Sequence, residues 1–497
     1  MALLYKSTRG DKNLITASNA ILKGIADDGG LYIPMEIPKM DFKLEDALNM
    51  SYKELAYEVL KLVLNDFTKD ELMACINGAY DEKFDTELIA PLKETSDCGV
   101  LELFHGKTIA FKDMALSILP YLLKTSAKKN GEDRKIVILT ATSGDTGKAA
   151  LEGFADVEGT GIIVFFPQDG VSDVQRKQMV TQEGKNTCVV GIKGNFDDCQ
   201  TAVKKAFTDK ELKEELAEKG YVFSSANSIN IGRLAPQIVY YFYAYCQMVK
   251  AGRLKLGEKL NFVVPTGNFG NILAGYYARE MGLPVNKLVC ASNENKVLFD
   301  FFTTGEYDAK REFILTSSPS MDILISSNLE RLLYHICGDT DLVREKMNAL
   351  SSEGKYDFDL GSCGFVGEYS SEAEVFETIK SVFEKEGYVL DTHTAVAYSA
   401  FKKYTAETGD NTPAVVVSTA SPFKFAKDVL SAIDKKYEGL DPFEAVEVLS
   451  EVSGTNVPKP IKGIDKRPVL HDICIDRQDI QSFVKETLTG SSDNITI

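Results

Sequence analysis

The sequence predicts an α/β protein in which parallel, twisted sheets carry helices on both faces. Short apolar, β-rich runs alternate with helical segments from residue 135 onward, as in a chain that passes from strand to strand through helices. These runs are continuously apolar rather than alternating, which indicates strands that are covered on both sides. In such sheets a ligand binds beyond the carboxyl ends of the strands. The loops that follow the strands are therefore where function is expected.

The apolar runs predict six strands, and the segments between them predict helices. The strands are expected at residues 136–140, 162–166, 188–192, 262–265, 288–291 and 414–417. Helices are expected from Gly147, over 174–180, from near Asp197 and over 234–248, where apolar residues recur at helical spacing.

Four units are expected along the chain. Residues 1–95 form an N-terminal domain, with a glycine turn at Gly29 and Gly30 and a helix that begins at Ser51. The other units are a large domain of residues 96–134 and 236–430, a smaller mobile α/β domain of residues 135–235, and a C-terminal helical extension of residues 431–497.

Composition limits the partners and the compartment. The 497 residues carry a formal net charge of −17, which argues against nucleic acid and anionic membranes as partners. The first ten residues lack a secretory apolar region, and no apolar run approaches the ~20 residues of a membrane span. The nine cysteines stand singly with no C-x-x-C pair, so we expect reduced thiols and no metal site. A cytoplasmic protein is therefore expected.

Lys112 is the first candidate for chemistry. It lies between Phe111 and Asp113, at the start of an apolar helical run that is expected to continue over 114–123. A lysine in such a place is partly desolvated, which lowers its pKa and makes the amine a nucleophile. Most lysines in a first helical turn are simply solvated, so the neighbouring loops decide between the two interpretations.

The loop after the first strand has the composition of an anion site. Hydroxyl groups and backbone N–H groups at a helix N-terminus bind an anion such as a carboxylate, although they also serve as an ordinary helix cap. The residues concerned are Thr142, Ser143, Gly144, Asp145 and Thr146. A nucleotide-binding loop is disfavoured, because the motif requires glycine where Thr142 stands and Ser or Thr where Ala149 stands.

Three further stretches complete the set of candidates. The loop after the fourth strand has two glycines that allow close approach of a phosphate, and a plain turn is the alternative. Its residues are Gly267, Asn268, Phe269, Gly270 and Asn271. Thr419 follows the last strand and offers a neutral hydroxyl to a ring nitrogen, or caps a helix. Asn230 and Arg233 precede an apolar helix, and Arg233 is a phosphate ligand by type unless it is solvated.

A lysine nucleophile, a glycine-rich phosphate loop, a hydroxyl for a ring nitrogen and an anion-binding loop together indicate a pyridoxal phosphate enzyme. At this point the whole chain resembles the threonine synthase family, in the tryptophan-synthase-β-like group of these enzymes. The resemblance is carried by residues 5–10, 28–34, 105–108, 110–113, 142–147, 227–230, 265–271 and 418–420. The two N-terminal segments, 5–10 and 28–34, matter most, because dehydratases and cysteine synthases share the fold and the lysine but not this start of the chain.

The resemblance implies a fold-type-II pyridoxal phosphate enzyme with an added N-terminal domain. It implies that Lys112 forms the Schiff base and moves protons, that residues 267–271 hold the cofactor phosphate, and that Thr419 faces the pyridine nitrogen. Thr142 to Thr146 would take the substrate carboxylate, with Asp145 also near the phenolic oxygen of the cofactor. Asn230, Arg233 and Lys107 are the candidates for the substrate phosphate; Lys107 stands where the family commonly has proline.

The implied reaction is that of a carbon–oxygen lyase acting on phosphates, the last step of threonine biosynthesis. O-phospho-L-homoserine and water give L-threonine and phosphate, in a protein that is a monomer or a homodimer. The alternative within the fold is a phospho-lyase or a serine/threonine dehydratase, which eliminates without adding water. A non-catalytic amino-acid-binding protein on the same scaffold is the alternative from another class.

Overall fold

Two parallel sheets organise the part of the chain described by the computed structural model, residues 3–142, 144–168, 171–194 and 196–490. The strands, in chain order, are β1 Tyr5–Ser7, β2 Tyr32–Pro34, β3 Leu92–Glu94, β4 Gly99–Glu102, β5 Lys135–Ala141, β6 Thr160–Pro167, β7 Thr187–Lys193, β8 Tyr221–Ser224, β9 Leu260–Pro265, β10 Val285–Ser292, β11 Glu306–Asp308, β12 Lys355–Asp357, β13 Phe365–Tyr369, β14 Ala414–Ser418 and β15 Cys474–Asp476. All six predicted strands are present (β5, β6, β7, β9, β10 and β14), which confirms the α/β class.

Helices connect the strands and cover both sheets. They are α1 Ala17–Lys23, α2 Leu44–Ala47, α3 Tyr52–Val63, α4 Lys69–Ala79, α5 Asp113–Leu116, α6 Leu119–Lys129, α7 Asp145–Phe154, α8 Asp173–Val180, α9 Phe196–Thr208, α10 Lys210–Glu218, α11 Ile231–Lys250, α12 Gly270–Met281, α13 Val297–Thr304, α14 Leu329–Cys337, α15 Thr340–Glu353, α16 Glu372–Glu386, α17 Thr392–Thr408, α18 Ala426–Ile433, α19 Pro442–Ser453 and α20 Ile480–Thr489. In the described part of the chain, no helix is both long and apolar enough to cross a bilayer.

The larger sheet has the strand order β13-β10-β9-β14-β4-β3. Every neighbouring pair in it is parallel except β3 and β4, which are antiparallel at the edge. The smaller sheet is parallel throughout, with the order β15-β7-β6-β5-β8. Because parallel strands end together, the loops after β9 and β14 meet at one edge of the larger sheet, and the loop after β5 lies at the corresponding edge of the smaller one.

The C-terminal segment does not stand apart from the smaller sheet. β15 pairs with β7, and Ile480, Val484 and Leu488 of α20 join the apolar core of that sheet. The sequence predicts a helical extension here, because a strand of three residues leaves no pattern that distinguishes it from a loop. We propose to retain the four predicted units with β15 and α20 assigned to the smaller α/β domain.

The apolar run that begins at Met114 is two helices rather than one. α5 ends at Leu116 and α6 begins at Leu119, with Pro120 in its first turn. Proline has no N–H to give to a preceding carbonyl, so a continuous helix is interrupted there. Because of the break, Lys112 directly precedes a single turn of helix. Its side chain extends toward Asp145 at the start of α7, beside the smaller sheet.

Helix α11 is the central helix of the molecule. Its twenty residues are buried on almost every side, and its aromatic residues Tyr240, Tyr241 and Phe242 are fully buried. Asn230 caps its first turn by accepting the N–H of Gly232 at 2.8 Å. This buried helix places Arg233, in its first turn, inside the protein rather than at the surface.

Candidate active site

Lys112 lies between the two sheets, where α5 meets α7. Its Nζ is 3.8 Å from Oδ2 of Asp145 and donates to Oγ of Ser320 at 3.5 Å. The side chain is 13% exposed. Burial lowers the pKa of Lys112, Asp145 opposes that effect, and the cations of Lys424 and Arg233 add to it, giving a pKa of about 8. The amine is therefore partly neutral at ordinary pH.

Asp145 is the carboxylate at the centre of the site. Burial alone would raise its pKa, but Lys424 and Lys112 outweigh burial and hold the pKa well below its usual range. Nζ of Lys424, which is fully buried, lies 2.9 Å from Oδ1, and Nε2 of Gln175 donates to the same oxygen at 2.7 Å. Asp145 consequently stays ionised beside the lysine.

The segment before Lys112 is a tightly bonded turn. Asp113 accepts the N–H of Thr108 at 2.8 Å and its hydroxyl at 2.6 Å, and burial raises the pKa of Asp113 to about 6. A Cβ on Gly106 would lie 2.4 Å from the Asp113 carboxylate. Lys424 donates to the carbonyl of Thr108 at 3.0 Å. These contacts fix the backbone from which Lys112 projects.

His105, at the start of this turn, links stability to pH. Burial would lower its pKa, but hydrogen bonds to Asp85 at 2.6 Å and Glu102 at 3.0 Å outweigh burial and raise the pKa to about 9. The unfolded chain releases this proton near pH 6.5, the ordinary pKa of histidine. The stabilisation is therefore complete below pH 6.5 and is lost as pH rises through 9.

We expect His105→Gln to remove this pH dependence. Between pH 6.5 and 9 the free energy of unfolding of the wild type should fall by about 2 kcal/mol more than that of the variant, since solvent around the half-exposed Asp85 screens part of the attraction. Urea denaturation across this pH range measures the difference. Parallel curves for the two proteins would contradict the assignment.

Thr142 shapes the loop that follows β5. Its hydroxyl accepts the N–H groups of Gly144 at 3.0 Å and Gly147 at 2.9 Å. Gly144 has φ 140°, and a Cβ there would lie 2.6 Å from the side chain of Gln175, so glycine is required. Thr146 is half-buried in the first turn of α7. The prediction for Ser143 falls outside the described residues.

The loop from Gly267 to Asn271 forms a cradle at the start of α12. Phe269 adopts φ 63°, and the chain turns there into helix α12. The first N–H groups of this helix have no carbonyl partners within the helix. A Cβ on Gly267 would lie 2.6 Å from the carbonyl oxygen of Ser320. Asn271 accepts the hydroxyls of Tyr240 and Tyr241 at 2.7 and 2.8 Å.

The side-chain amide of Asn271 indicates which kind of group this cradle fits. Its Nδ2 is buried and has no hydrogen-bond partner among the described residues. A buried donor without an acceptor is costly, so an acceptor is expected to bind there. Together with the free N–H groups of a helix N-terminus, this donor fits a phosphate group.

Thr419 lies beside the lysine segment. Its carbonyl accepts the N–H of Phe111 at 2.7 Å, and Ala110 and Ala420 form an antiparallel bridge. The residue is buried at the C-terminal end of β14. The structure thus brings together Lys112, Asp145 and Thr419, as the sequence analysis expects, although their roles stay predictions.

Of the three candidates for the substrate phosphate, Arg233 has the best environment. It is 3% exposed, it donates to the carbonyl of Ala226 at 2.6 Å, and its Nε has no partner among the described residues. Burial lowers the pKa of Arg233 to about 10. Asn230 instead gives its amide to the carbonyls of Ile21 and Ser225, and Nζ of Lys107, a half-exposed side chain, lies 3.6 Å from Glu152.

Three residues at the centre of this site have no predicted role. Ser320 and Gln175 both touch Asp145, yet nothing in their sequence neighbourhood distinguishes them from other polar residues in loops and helices. Lys424 does carry a signal, because it lies between Phe423 and Phe425 much as Lys112 lies between Phe111 and Asp113.

A second group of contacts ties the cradle to the N-terminal residues. Asn328 donates its N–H and its amide to the carbonyl of Asn268 at 3.1 and 2.9 Å. Arg331, which is fully buried, donates to the carbonyls of Tyr32 (at 3.0 Å) and Ile229 and to the side chain of Asn328. One arginine therefore holds three segments that are distant in sequence.

The segment 5–10 contacts the same region through Glu330. Arg9 places its guanidinium on both carboxylate oxygens of Glu330, at 2.9 and 2.7 Å, and Thr8 donates its hydroxyl to one of them. Thr8 and Glu330 are buried. The N-terminal residues are thus bonded directly to the helix next to the cradle.

Comparison with known proteins identifies three family matches. Residues 4–80 match "Threonine synthase N terminus", residues 99–420 match "Pyridoxal-phosphate dependent enzyme", and residues 394–483 match "Threonine synthase, C-terminal". The second match covers well over half of the chain, and the first and third flank and overlap it. These descriptions agree with the resemblance that the sequence motifs carry.

Curated relatives give the same family. The chain is 36% identical to human threonine synthase-like 1 over 96% of its own length, but spans 64% of that relative. It is 36% identical to threonine synthase of Saccharomyces cerevisiae (86% of this chain, 89% of the relative) and 39% identical to that of Pseudomonas aeruginosa (86% and 90%).

Solved structures are equally similar. Pyridoxal phosphate-bound threonine synthase from Brucella melitensis has a TM-score of 0.85 and 35% identity, covering 98% of this chain and 99% of that one. Threonine synthase from yeast has a TM-score of 0.87 and 32% identity, covering 98% of both chains. The arrangement of both sheets and of the N-terminal residues is therefore shared with these structures.

Proposed function

Since this chain belongs to the threonine synthase family of pyridoxal phosphate-dependent enzymes, we propose that it converts O-phospho-L-homoserine and water to L-threonine and phosphate. The observation that carries the proposal is the pairing of a partly neutral Lys112 with a buried Arg233 that no carboxylate neutralises among its described contacts. A partly neutral Lys112 suits proton transfer, and the positive charge of Arg233 suits a phosphorylated substrate. A cytoplasmic monomer or homodimer is part of the same proposal.

The residues present fit the cofactor of the family. Lys112 would hold it covalently, residues 267–271 would bind its phosphate, and Thr419 and Asp145 would lie beside its ring. When bound, pyridoxal phosphate supplies an electron sink that stabilises negative charge at the substrate carbon. The unpaired Nδ2 of Asn271 and the free N–H groups of α12 support this placement of the phosphate.

Lys112 is the residue that we propose moves protons. An amine with a pKa of about 8 takes a proton and returns it with little free-energy difference near neutral pH. Asp145, held ionised by Lys424, keeps a negative charge beside it throughout. The N–H groups at the start of α7, together with Thr142 and Thr146, would bind the substrate carboxylate at the positive end of that helix.

The pKa of Lys112 gives a measurable pH dependence. We expect the rate at which the cofactor-free protein takes up pyridoxal phosphate to rise with pH, with a midpoint near 8, because only the neutral amine is nucleophilic. Stopped-flow absorbance of the bound cofactor between pH 6 and 10 measures this rate. A midpoint near 10.5, the ordinary lysine value, would contradict the environment described for Lys112.

Arg233 is expected to contribute to binding of the substrate phosphate. Arg233→Met keeps much of the apolar stem but removes the charge, so kcat/KM for O-phospho-L-homoserine should fall by about 30-fold. Cofactor binding should change little. Arg253→Met, which removes a partly exposed arginine bonded to the carbonyl of Thr95, is the matched control. An unchanged kcat/KM in the Arg233 variant would remove this residue from the substrate site.

One assay tests the proposed reaction. The purified protein, loaded with pyridoxal phosphate, is incubated with O-phospho-L-homoserine while threonine, phosphate and 2-oxobutanoate are measured together. Equal amounts of threonine and phosphate support the proposal. Phosphate with 2-oxobutanoate and no threonine would assign a phospho-lyase instead, and 2-oxobutanoate from added threonine would assign a dehydratase. Absence of all three products would refute the substrate.

A further inference from the structure

Ser320 joins the lysine and the carboxylate of the candidate site. Its Oγ accepts from Nζ of Lys112 at 3.5 Å and donates to Oδ2 of Asp145 at 3.2 Å. The direct distance between Lys112 and Asp145 is longer, at 3.8 Å. A hydroxyl group can accept from one partner while it donates to the other, so a single side chain satisfies both.

The backbone of Ser320 is held by a buried histidine. Ser320 lies in a short turn, Pro319–Met321, and its N–H donates to Nε2 of His393 at 3.2 Å. Because Nε2 accepts, the ring carries its proton on Nδ1, which donates to Asp391 at 3.1 Å. Thr394 donates its hydroxyl to the other oxygen of Asp391. Asp391, His393 and Thr394 are all buried; Asp391 caps α17, and the other two lie in its first turn.

The same turn rests on the predicted cofactor cradle. The carbonyl oxygen of Ser320 leaves no room for a side chain on Gly267, and Ser326 donates its hydroxyl to the carbonyl of Gly267 at 2.7 Å. The turn therefore cannot shift without moving the cradle. Its position relative to Lys112 is fixed from two sides, by His393 and by the cradle.

We propose that Ser320 is a catalytic residue that orients the amine of Lys112, and that His393 and Asp391 are positioning residues that hold Ser320 in place. This rests on the proposed function, since it assigns roles within the same site. Ser320 keeps its own proton throughout and transfers no group. Its hydroxyl, which bonds to both Lys112 and Asp145, prevents the closer ion pair that would keep the amine protonated.

The groups around Lys112 are charged, so Ser320 is the residue that can orient the amine as a neutral acceptor. Asp145 attracts the amine, whereas Lys424 and Arg233 repel it, and none of these three gives the nitrogen a neutral acceptor. Among the hydrogen bonds of the described residues, Ser320 is the neutral group that reaches Nζ. Correct orientation of a reacting group contributes strongly to rate, so its loss should be measurable.

Two variants of Ser320 and one of nearby Ser317 test the role of the hydroxyl. Ser320→Ala removes it, Ser320→Thr keeps it, and Ser317→Ala is the matched control because its Oγ has no partner among the described residues. We expect Ser320→Ala to slow the uptake of pyridoxal phosphate by the cofactor-free protein by about tenfold and to change the visible circular dichroism of the bound cofactor. Ser317→Ala should resemble the wild type in both measurements, and Ser320→Thr should recover most of the uptake rate that Ser320→Ala loses.

His393→Phe tests the support of Ser320. The phenyl ring retains packing on Phe425, whose ring centroid lies 4.9 Å from that of His393, but cannot accept the Ser320 N–H. The same spectral change and a smaller loss of uptake rate, about threefold, are expected, with Thr378→Ala as a distant control. Equal behaviour of Ser320→Ala and Ser317→Ala would overturn the proposal, as would equal losses in the Ala and Thr variants of Ser320. Uptake requires no substrate, so this result stands or falls separately from the threonine assay.

Discussion

Replacement of Lys112 by Ala is expected to lower the rate of threonine formation from O-phospho-L-homoserine by about 10³-fold or more, because the variant loses the residue that we propose as both nucleophile and acid/base group. The fold should persist, since Asp145 keeps its ion pair with Lys424 at 2.9 Å and its hydrogen bond from Gln175. The measurement is a steady-state assay of threonine and phosphate, with absorbance of the bound cofactor recorded on the same samples.

Lys124→Ala is the matched control for the lysine substitution. Lys124 is a half-exposed residue of α6 that pairs with Glu158, far from the candidate site in its contacts. Its removal should leave the rate and the absorbance unchanged. A Lys112→Ala protein that still made threonine at one tenth of the wild-type rate would show that another group carries out the chemistry, and Lys424 would then be the next lysine to replace.

The second large effect is expected from Arg331→Met. The substitution leaves the carbonyls of Tyr32 and Ile229 and the side-chain oxygen of Asn328 without their donor. Each buried acceptor left unpaired costs about 1–3 kcal/mol, and removal of a buried charge offsets part of that. We therefore expect the free energy of unfolding to fall by about 3 kcal/mol in urea denaturation.

Cofactor affinity should fall in the same variant. Asn328, which Arg331 orients, bonds the carbonyl of Asn268 in the cradle, so a looser Asn328 should weaken the proposed phosphate site. Titration with pyridoxal phosphate measures the affinity. Arg344→Met is the control, since that arginine is half-exposed and should change stability by less than about 1 kcal/mol. Equal stability loss in the two variants would contradict the role given to Arg331.

Local pattern accounts for the parts of the fold that could be predicted. The six predicted strands are long apolar runs, and helix α3 carries its capping box at Ser51 and Glu54 as well as its apolar face. The strands without a prediction are short or contain glycine or charge, as in β4 Gly99–Glu102 and β15 Cys474–Asp476. Their pairing is decided by the neighbouring strand rather than by their own composition.

The candidate site divides in the same way. Lys112, the cradle and the loop at Thr142 have glycines, hydroxyls and a lysine at strand ends, so each shows a local signal. Ser320, His393 and Arg331 act through contacts with residues far away in the chain, and a single sequence contains no record of such contacts. Asn230 shows the opposite case, since its polar signal is explained by a helix cap and two backbone carbonyls.

The long separation between Lys112 and Lys424, which meet at Asp145, has a consequence during synthesis on the ribosome. Chains emerge from their N-terminus at about 5–20 residues per second, so Lys112 waits on the order of tens of seconds before Lys424 exists. During that time the carboxylate of Asp145 lacks its second cation, and the lysine lacks the enclosure that lowers its pKa. If the cofactor attaches to Lys112 as we propose, selective attachment should begin only after translation has passed β14 and Lys424 has joined Asp145.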